Sequence, residues 1–297
     1  MRITLKQLQV FVNTAKLESI SLGAEKCFIS QAAASMSLSQ LENMLGVTLF
    51  DRVGKRIRLN TNGHNLLAKA VQILDKVDEF ESFAINEKSL IGKITIGAST
   101  TIANYVLPKY IAKFKKIHPS VNFELICNNS KEIIHDIETL SCDVAFIEGE
   151  CHSDVIDATL WKKDNLKIVC NAKHPLCKKD TVTIKDTLKY EWVTRERGSG
   201  TFDIFLKALE SHIPDIKKAI TLNSSEAIKQ YIANSDSLAC LSEVITTQAW
   251  NLDKYSSLDV KGLDLSRNFY KLLHNKKYHT HLTQAFCDFI ESDIQSI

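Results

Sequence analysis

The 297-residue sequence has no apolar run approaching the roughly 18 to 20 residues that a membrane-spanning helix needs. Its N-terminus has no basic-then-apolar export pattern, because Lys6, Gln7 and Gln9 interrupt it. A cytoplasmic location is therefore expected. The eight cysteines include no C-x-x-C pair, and no Cys/His cluster has zinc-finger spacing. A disulfide framework is not expected in a chain this long without an export signal, and the cysteines read as small buried hydrophobes. G-x-S-x-G, H-E-x-x-H and G-x-x-x-x-G-K-[ST] are all absent, so no enzyme class is indicated. His279 and His281 have no nearby carboxylate or cysteine in sequence, and neither a metal nor a cofactor is expected. There is no internal repeat and no low-complexity segment. What remains is an ordinary globular composition, 44% hydrophobic and 24% charged.

The charge is unevenly placed. The formal net charge is +2, but residues 1–60 carry Arg2, Lys6, Lys16, Lys26, Arg52, Lys55, Arg56 and Arg58 against four acids. The first fifth of the chain is thus +4 and the remainder −2. A small basic head on a near-neutral body suggests a polyanion-binding module joined to something else.

Thr4 with Gln7 predicts a capping box, with Leu5, Leu8, Val12 and Ala15 on the inner face of the first helix. Ser19 or Ser21 caps a short second helix. Ser30 caps a third, which runs to about Leu45 with Ala34, Leu38, Leu41 and Leu45 inward and stops at Gly46. "VTLFDRVGKRIRLN" alternates about Gly54 as a hairpin does. Two helices joined by a tight turn and followed by a hairpin make a winged helix-turn-helix over 1–60. The third helix is almost uncharged, which suits close approach to base edges in a major groove. Ser30, Gln31, Ala32, Ser35 and Met36 would face the DNA. Arg52, Lys55, Arg56 and Arg58 of the wing would reach phosphates or the minor groove.

Residues 61–90 predict a linker helix. Leu66, Ala70, Ile73, Val77, Phe80 and Ala84 follow at heptad spacing, a seam that would pair two heads, with burial within a monomer as the alternative. From 91 to 297 strands and helices alternate in two blocks, which implies an α/β body with parallel sheets, two lobes and a cleft. Lobe I is placed at about 91–164 and 266–297, and lobe II at about 165–265. Ser99, Thr100 and Thr101 sit where a strand hands over to a helix; Ser199, Gly200 and Thr201 open another helix, with Arg195 and Arg197 near. Two helix starts facing a cleft would hold a small anion. Plain N-capping is the alternative for either one.

"LQVFV", "SQAAAS", "QLENMLGVTLFDR" and "RLNTNG" together resemble the LysR-type transcriptional regulators, and the resemblance extends in order and length over the whole chain. It implies a winged helix-turn-helix, a dimerising linker helix and a two-lobed effector domain like a periplasmic solute-binding protein. It further implies a homodimer or homotetramer on double-stranded promoter DNA, a small-molecule effector between the lobes, and leaves RNA polymerase open as a partner. Three positions depart from the family pattern: Glu18 where Gly is common, Gly23 where Ala is usual, and Met36 where many members have Arg. "GASTTIANYVLP", "DVAFIEGE" and "TRERGSGT" look like members tied to sulfur assimilation and sulfite handling, which makes the expected effector a small sulfur oxyanion or related metabolite. In that reading Glu148 and Glu150 lie near the cleft and repel a dianion unless protonated or paired. The family's peroxide sensor has a cysteine in the region that reads "RERGSGTF" here, so redox switching by that route is not expected; Cys170 and Cys177 lie elsewhere, seven apart. An effector-independent repressor, or a solute-binding module with a vestigial head, are the rival readings.

Overall fold

The computed structural model describes residues 3–53, 56–85, 90–248 and 254–292. The head comprises α1 (Leu5–Leu17), α2 (Ile20–Lys26), α3 (Gln31–Leu45), β1 (Phe50–Val53) and β2 (Arg56–Leu59). The Thr4–Gln7 capping box starts α1, Ser19 caps α2 and Ser30 caps α3, while Gly46, at φ +72°, ends α3 in the left-handed conformation. Strands β1 and β2 pair antiparallel, and Phe50 packs edge-on against Phe11 at 5.7 Å, which fixes the hairpin to α1. The inner face of α1 differs from the expected one. Leu5 is exposed, whereas Val10, Phe11 and Thr14 are buried beside Val12 and Ala15. The reason is that α1 is packed by α2, α3 and the following helix at once, so its buried stripe is wider than one face.

That helix, α4 (Thr61–Ile85), divides the heptad seam. Ala70 turns inward with Leu67 and Val71 into the head's own core, and Leu66 packs half-buried against it. Val77 is half-buried, while Ile73 and Phe80 are exposed, Phe80 to 76%. The side chain of Ala84 lies outside the described residues.

The body runs β3 (Gly92–Ser99), α5 (Thr100–Tyr105), α6 (Leu107–Ile117), β4 (Val121–Asn128), α7 (Ser130–Glu138), β5 (Val144–Glu148) and β6 (Ile156–Asn171). It continues with β7 (Val182–Thr183), α8 (Ile184–Thr187), β8 (Glu191–Thr194), α9 (Gly200–Ala208), β9 (Lys217–Thr221), α10 (Ser225–Ala233) and β10 (Leu238–Ser242). The last elements are α11 (Glu243–Gln248), β11 (Tyr255–Leu258), β12 (Val260–Lys261), β13 (Ser266–His274) and α12 (His281–Ser292). The main sheet has the order β4-β3-β5-β13-β6-β10-β8-β9, with β11 also on β6. It is mixed rather than purely parallel. The groups β4-β3-β5 and β10-β8-β9 are internally parallel, but β13 and β6 join them through antiparallel ladders. The 16-residue β6 pairs with β13 over its first part and with β10 from Leu166 to Val169. The chain therefore crosses between two α/β units on a pair of adjacent strands, and the ends of β3, β5 and β8 meet between them.

Lobe I also touches the head. Leu140, at φ +58°, inserts into the head core, and Glu79 of α4 accepts hydrogen bonds from Tyr278 Oη (2.8 Å) and the His281 N–H (3.1 Å). Among the described residues no helix is long and apolar enough to cross a membrane.

Gly23 has a packing role. A Cβ there would lie 2.9 Å from the backbone of Thr14. Gly23→Ala removes a helix-propensity deficit of about 1 kcal/mol but forces α1 and α2 apart, which costs roughly 1–3 kcal/mol. The expected outcome in thermal unfolding is a lower Tm for Gly23→Ala; a higher Tm would show that the two helices separate freely.

Candidate functional site

The exposed face of α3 is built by what the head core takes away. Ala34, Leu38 and Leu41 are buried, leaving Gln31, Ala32 and Met36 exposed and Ser35 half-exposed. Ser30 Oγ accepts the Ala33 N–H at 3.2 Å and so starts the helix with its own hydroxyl. The first charged residue in α3 is Glu42, and its carboxylate is turned away to accept the Leu49 N–H at 2.7 Å. A neutral, small-residue ridge results. Arg58 is exposed on β2, opposite Asp51 in the hairpin register. Lys55 and the side chains of Arg52 and Arg56 lie outside the described residues.

The second site lies between the lobes, and all eight candidate residues there converge. Ser99 ends β3, Thr100 and Thr101 begin α5, Glu148 ends β5, Arg195 follows β8, and Ser199, Gly200 and Thr201 open α9. Arg195 Nη2 donates to Thr100 Oγ1 at 3.4 Å, and Thr201 Oγ1 donates to Glu148 Oε2 at 3.5 Å. Gly200 permits the approach, since a Cβ there would meet the Glu148 carbonyl oxygen at 2.4 Å. At the rim Lys131 N donates to Gly198 O at 3.2 Å, and Tyr105 Oη donates to Glu226. Arg195 is itself buried and forms a fork on Glu196 at 2.9 and 3.0 Å. Arg197 is exposed, and Glu150 sits on the surface beside His152, away from this cluster.

At the centre is a residue the sequence reading did not single out, Arg267 of β13. Its Nε donates to Asp164 Oδ2 at 2.7 Å, and its Nη1 lies 3.2 Å from Glu148 Oε2 and 3.0 Å from Thr201 Oγ1. Ser242 Oγ lies 3.0 and 2.8 Å from the two Asp164 oxygens. Burial pushes the Glu148 carboxyl up, but Arg267, with Thr101 and Arg195 alongside, outweighs it and holds the group below the usual carboxylate range. Glu148 is thus charged and paired. Arg267 could have been noticed as the one arginine in the late strand "FYKLLH" and its approach, but nothing in sequence names partners 66 to 119 residues away.

Four buried polar atoms here make no hydrogen bond: Ser99 Oγ, Ser199 Oγ, Glu148 Oε1 and Arg267 Nη2. Neither serine hydroxyl caps its helix, in contrast to Ser19, Ser30 and Ser224, which do. Plain N-capping therefore does not account for Ser99 or Ser199. A cavity of about 10 Å³, on the scale of one water, is lined by Thr194, Arg195, Thr201, Phe205 and Cys240 among others, and by none of the four residues that carry these atoms. Among the described residues no cluster of three or more potential metal ligands occurs.

Arg267→Met would strand Asp164 and Glu148 in the interior. Breaking a buried pair costs about 3–5 kcal/mol, so its urea midpoint should fall sharply and that of Arg267→Lys less. Equal midpoints for wild type and Arg267→Met would mean that the network contributes nothing to the fold.

Comparison with known proteins bears on both sites. The model of the bacterial regulatory helix-turn-helix protein, lysR family, matches residues 5–64, and that of the LysR substrate binding domain matches residues 87–295. The chain is 34% identical over 291 residues, 98% of each chain, to the uncharacterized HTH-type transcriptional regulator YeiE of Escherichia coli (strain K12). It is 25% identical over 290 residues, 97% of each, to the HTH-type transcriptional regulator CysL of Bacillus subtilis (strain 168). A solved full-length OxyR variant from Pseudomonas aeruginosa has the same fold, with a TM-score of 0.73 at 19% identity, covering 98% of this chain and 95% of that one. These names describe regulators rather than enzymes. With these matches over both the helix-turn-helix head and the two-lobed body, the chain belongs to the LysR family of DNA-binding transcriptional regulators.

Proposed function

We propose that this regulator is gated by a compact anion or zwitterion bound in the interlobe cleft. The observation that carries the reading is the set of four unpartnered buried atoms contributed from both lobes. Leaving such atoms unpaired costs roughly 1–3 kcal/mol each, and one ligand seated between them would satisfy them together. Three are donors, Ser99 Oγ, Ser199 Oγ and Arg267 Nη2, and one, Glu148 Oε1, is an ionised acceptor. A bare dianion would meet Glu148 and Asp164 at close range. A ligand that accepts on one side and donates on the other fits better, as hydrogen sulfite or an amino-acid-like zwitterion does. Sulfur oxyanions are the first candidates, on the likeness of the 97–108, 143–150 and 194–201 stretches to sulfur-linked family members. Thr100, Thr101, Gly200 and Thr201 hold the two helix starts around the ligand, and Arg195 braces them across the lobes.

On the DNA side, Gln31, Ala32, Ser35 and Met36 would read base edges, and Arg52, Lys55, Arg56 and Arg58 would supply phosphate contacts. The exposed Ile73 and Phe80 support pairing of two copies along α4. Two heads held at fixed separation would read two half-sites.

A thermal-shift series with sulfite, sulfate, thiosulfate, O-acetylserine and aromatic carboxylates tests the cleft. At a hundredfold excess over Kd a bound ligand adds about 2.7 kcal/mol, and the shift should vanish in the Ser99→Ala/Ser199→Ala double variant. If no compound raises the Tm, or if the double variant responds like wild type, the cleft reading fails and an effector-independent repressor gains. Ser35→Glu tests the head. It sets a carboxylate against bases and phosphates and should weaken promoter binding at least about 10-fold, on a scale of 1–3 kcal/mol per base contact. Unchanged affinity in a gel-shift titration would mean that α3 is not the reading helix.

A further inference from the structure

At the outer end of lobe II two cysteines that the sequence leaves seven apart come into contact. Cys170 is buried on β6, Cys177 is exposed, and their sulfurs are 3.6 Å apart. Each is fixed by its own surroundings. Cys170 lies opposite Ser256 in the β6–β11 ladder. Cys177 sits in a short helical turn, Pro175–Lys178, with its N–H on His174 O at 3.0 Å. That turn is anchored by the buried Leu176 and by His174, whose Nε2 is 3.1 Å from Asp236 O and whose ring packs on Tyr190 at 4.4 Å. The thiols otherwise meet only backbone carbonyls at 3.8 Å, Ser256 O for Cys170 and Asn171 O for Cys177. Lys173 and Lys178 are exposed on either side of Cys177 in sequence.

We propose that Cys170 and Cys177 are a reversible dithiol–disulfide site, oxidised by hydroperoxides at the exposed Cys177 and resolved by the buried Cys170. The Cys177 thiolate attacks the outer oxygen of the peroxide. An S–O bond forms, the O–O bond breaks, and the departing oxygen is protonated to water or an alcohol. The Cys170 sulfur then displaces hydroxide from the Cys177 sulfenic acid, and its proton leaves with that hydroxide as water. The two thiols lose two electrons, which the peroxide gains, and a dithiol reductant reverses the change. Burial, and then its neighbour Cys177, push the Cys170 thiol far up, which leaves Cys177 as the first sulfur to react. The site is separate from the "RERGSGTF" stretch and from the cleft, and it closes a loop whose Asn171 holds Ala233 O, at the end of α10, at 2.5 Å.

The test is tryptic mass spectrometry of the full-length protein after hydrogen peroxide, with remaining thiols alkylated under denaturing conditions. The expected product is peptide 168–173 joined to peptide 174–178, separated again by dithiothreitol. In Cys177→Ser, an exposed position that the fold should tolerate, Cys170 should stay reduced. In Cys170→Ser, Cys177 should be trapped as a dimedone-reactive sulfenic acid. The proposal is overturned if wild-type Cys177 accumulates as sulfenic or sulfinic acid while Cys170 remains alkylatable. It is equally overturned if neither cysteine changes at a peroxide level that oxidises the exposed Cys127.

Discussion

The guanidinium of Arg267 ties three elements of the body together in its buried interior. It stands on β13, reaches Asp164 on β6, Glu148 on β5 and Thr201 on α9, and through Asp164 it meets Ser242 at the end of β10. Burying three charges costs several kcal/mol per ion, and the cost is offset only where the remaining hydrogen-bonding positions are filled. Most of them are. The exceptions are Arg267 Nη2 and Glu148 Oε1, which, like the hydroxyls of Ser99 and Ser199, make no hydrogen bond. The network is therefore incomplete at two of its own atoms, and these are the ones the proposed ligand would satisfy.

Strand β5 connects this spot with the DNA-binding head. All five of its residues are buried; Glu148 is at its cleft end, and Asp143, just before its other end, is held by Lys277 at 2.5 Å. Next to Asp143 in the fold are Lys16 of α1, which burial and then Lys277 bring down to about 8, and Asp75 of α4, which burial raises to about 6. Leu140, three residues before Asp143, is part of the head core. A shift of β5 on ligand binding would act directly on the seat of α1 and α4. Coupling of this kind is reciprocal: if the ligand changes DNA affinity, DNA changes ligand affinity by the same factor.

Much of this was legible from residue order alone, for identifiable reasons. The limits of α3 follow from Ser30 and Gly46, and its neutral exposed face from the uncharged residues between them. The hydroxyls at the starts of α5 and α9 stood out as chemistry placed at helix ends, and in the fold Thr100 meets Arg195 and Thr201 meets Glu148 and Arg267. The first half of β6 was missed because Asp157 to Leu160 are all exposed, so no alternation marks them as a strand. Without that half the long crossover stayed hidden, and with it the antiparallel seam of a sheet expected to be parallel. The inner face of α1 was misjudged because three helices, not one, pack on it. Glu150 was grouped with Glu148 by proximity in sequence, but a turn at Gly149, φ +81°, sends it to the surface. Arg267 was invisible because its role is defined wholly by distant partners.

The most direct test of the account is footprinting of the full-length protein on promoter DNA, with and without the anion that raises its Tm, at fixed salt. If cleft occupancy and head position are one equilibrium, the ligand changes the protected boundary or the bend, and Glu148→Gln, which removes the charge that Arg267 holds, shifts the ligand concentration at which the change occurs. A footprint that stays the same at saturating ligand, in wild type and variant alike, would contradict it and leave the cleft as a binding site without a hold on DNA.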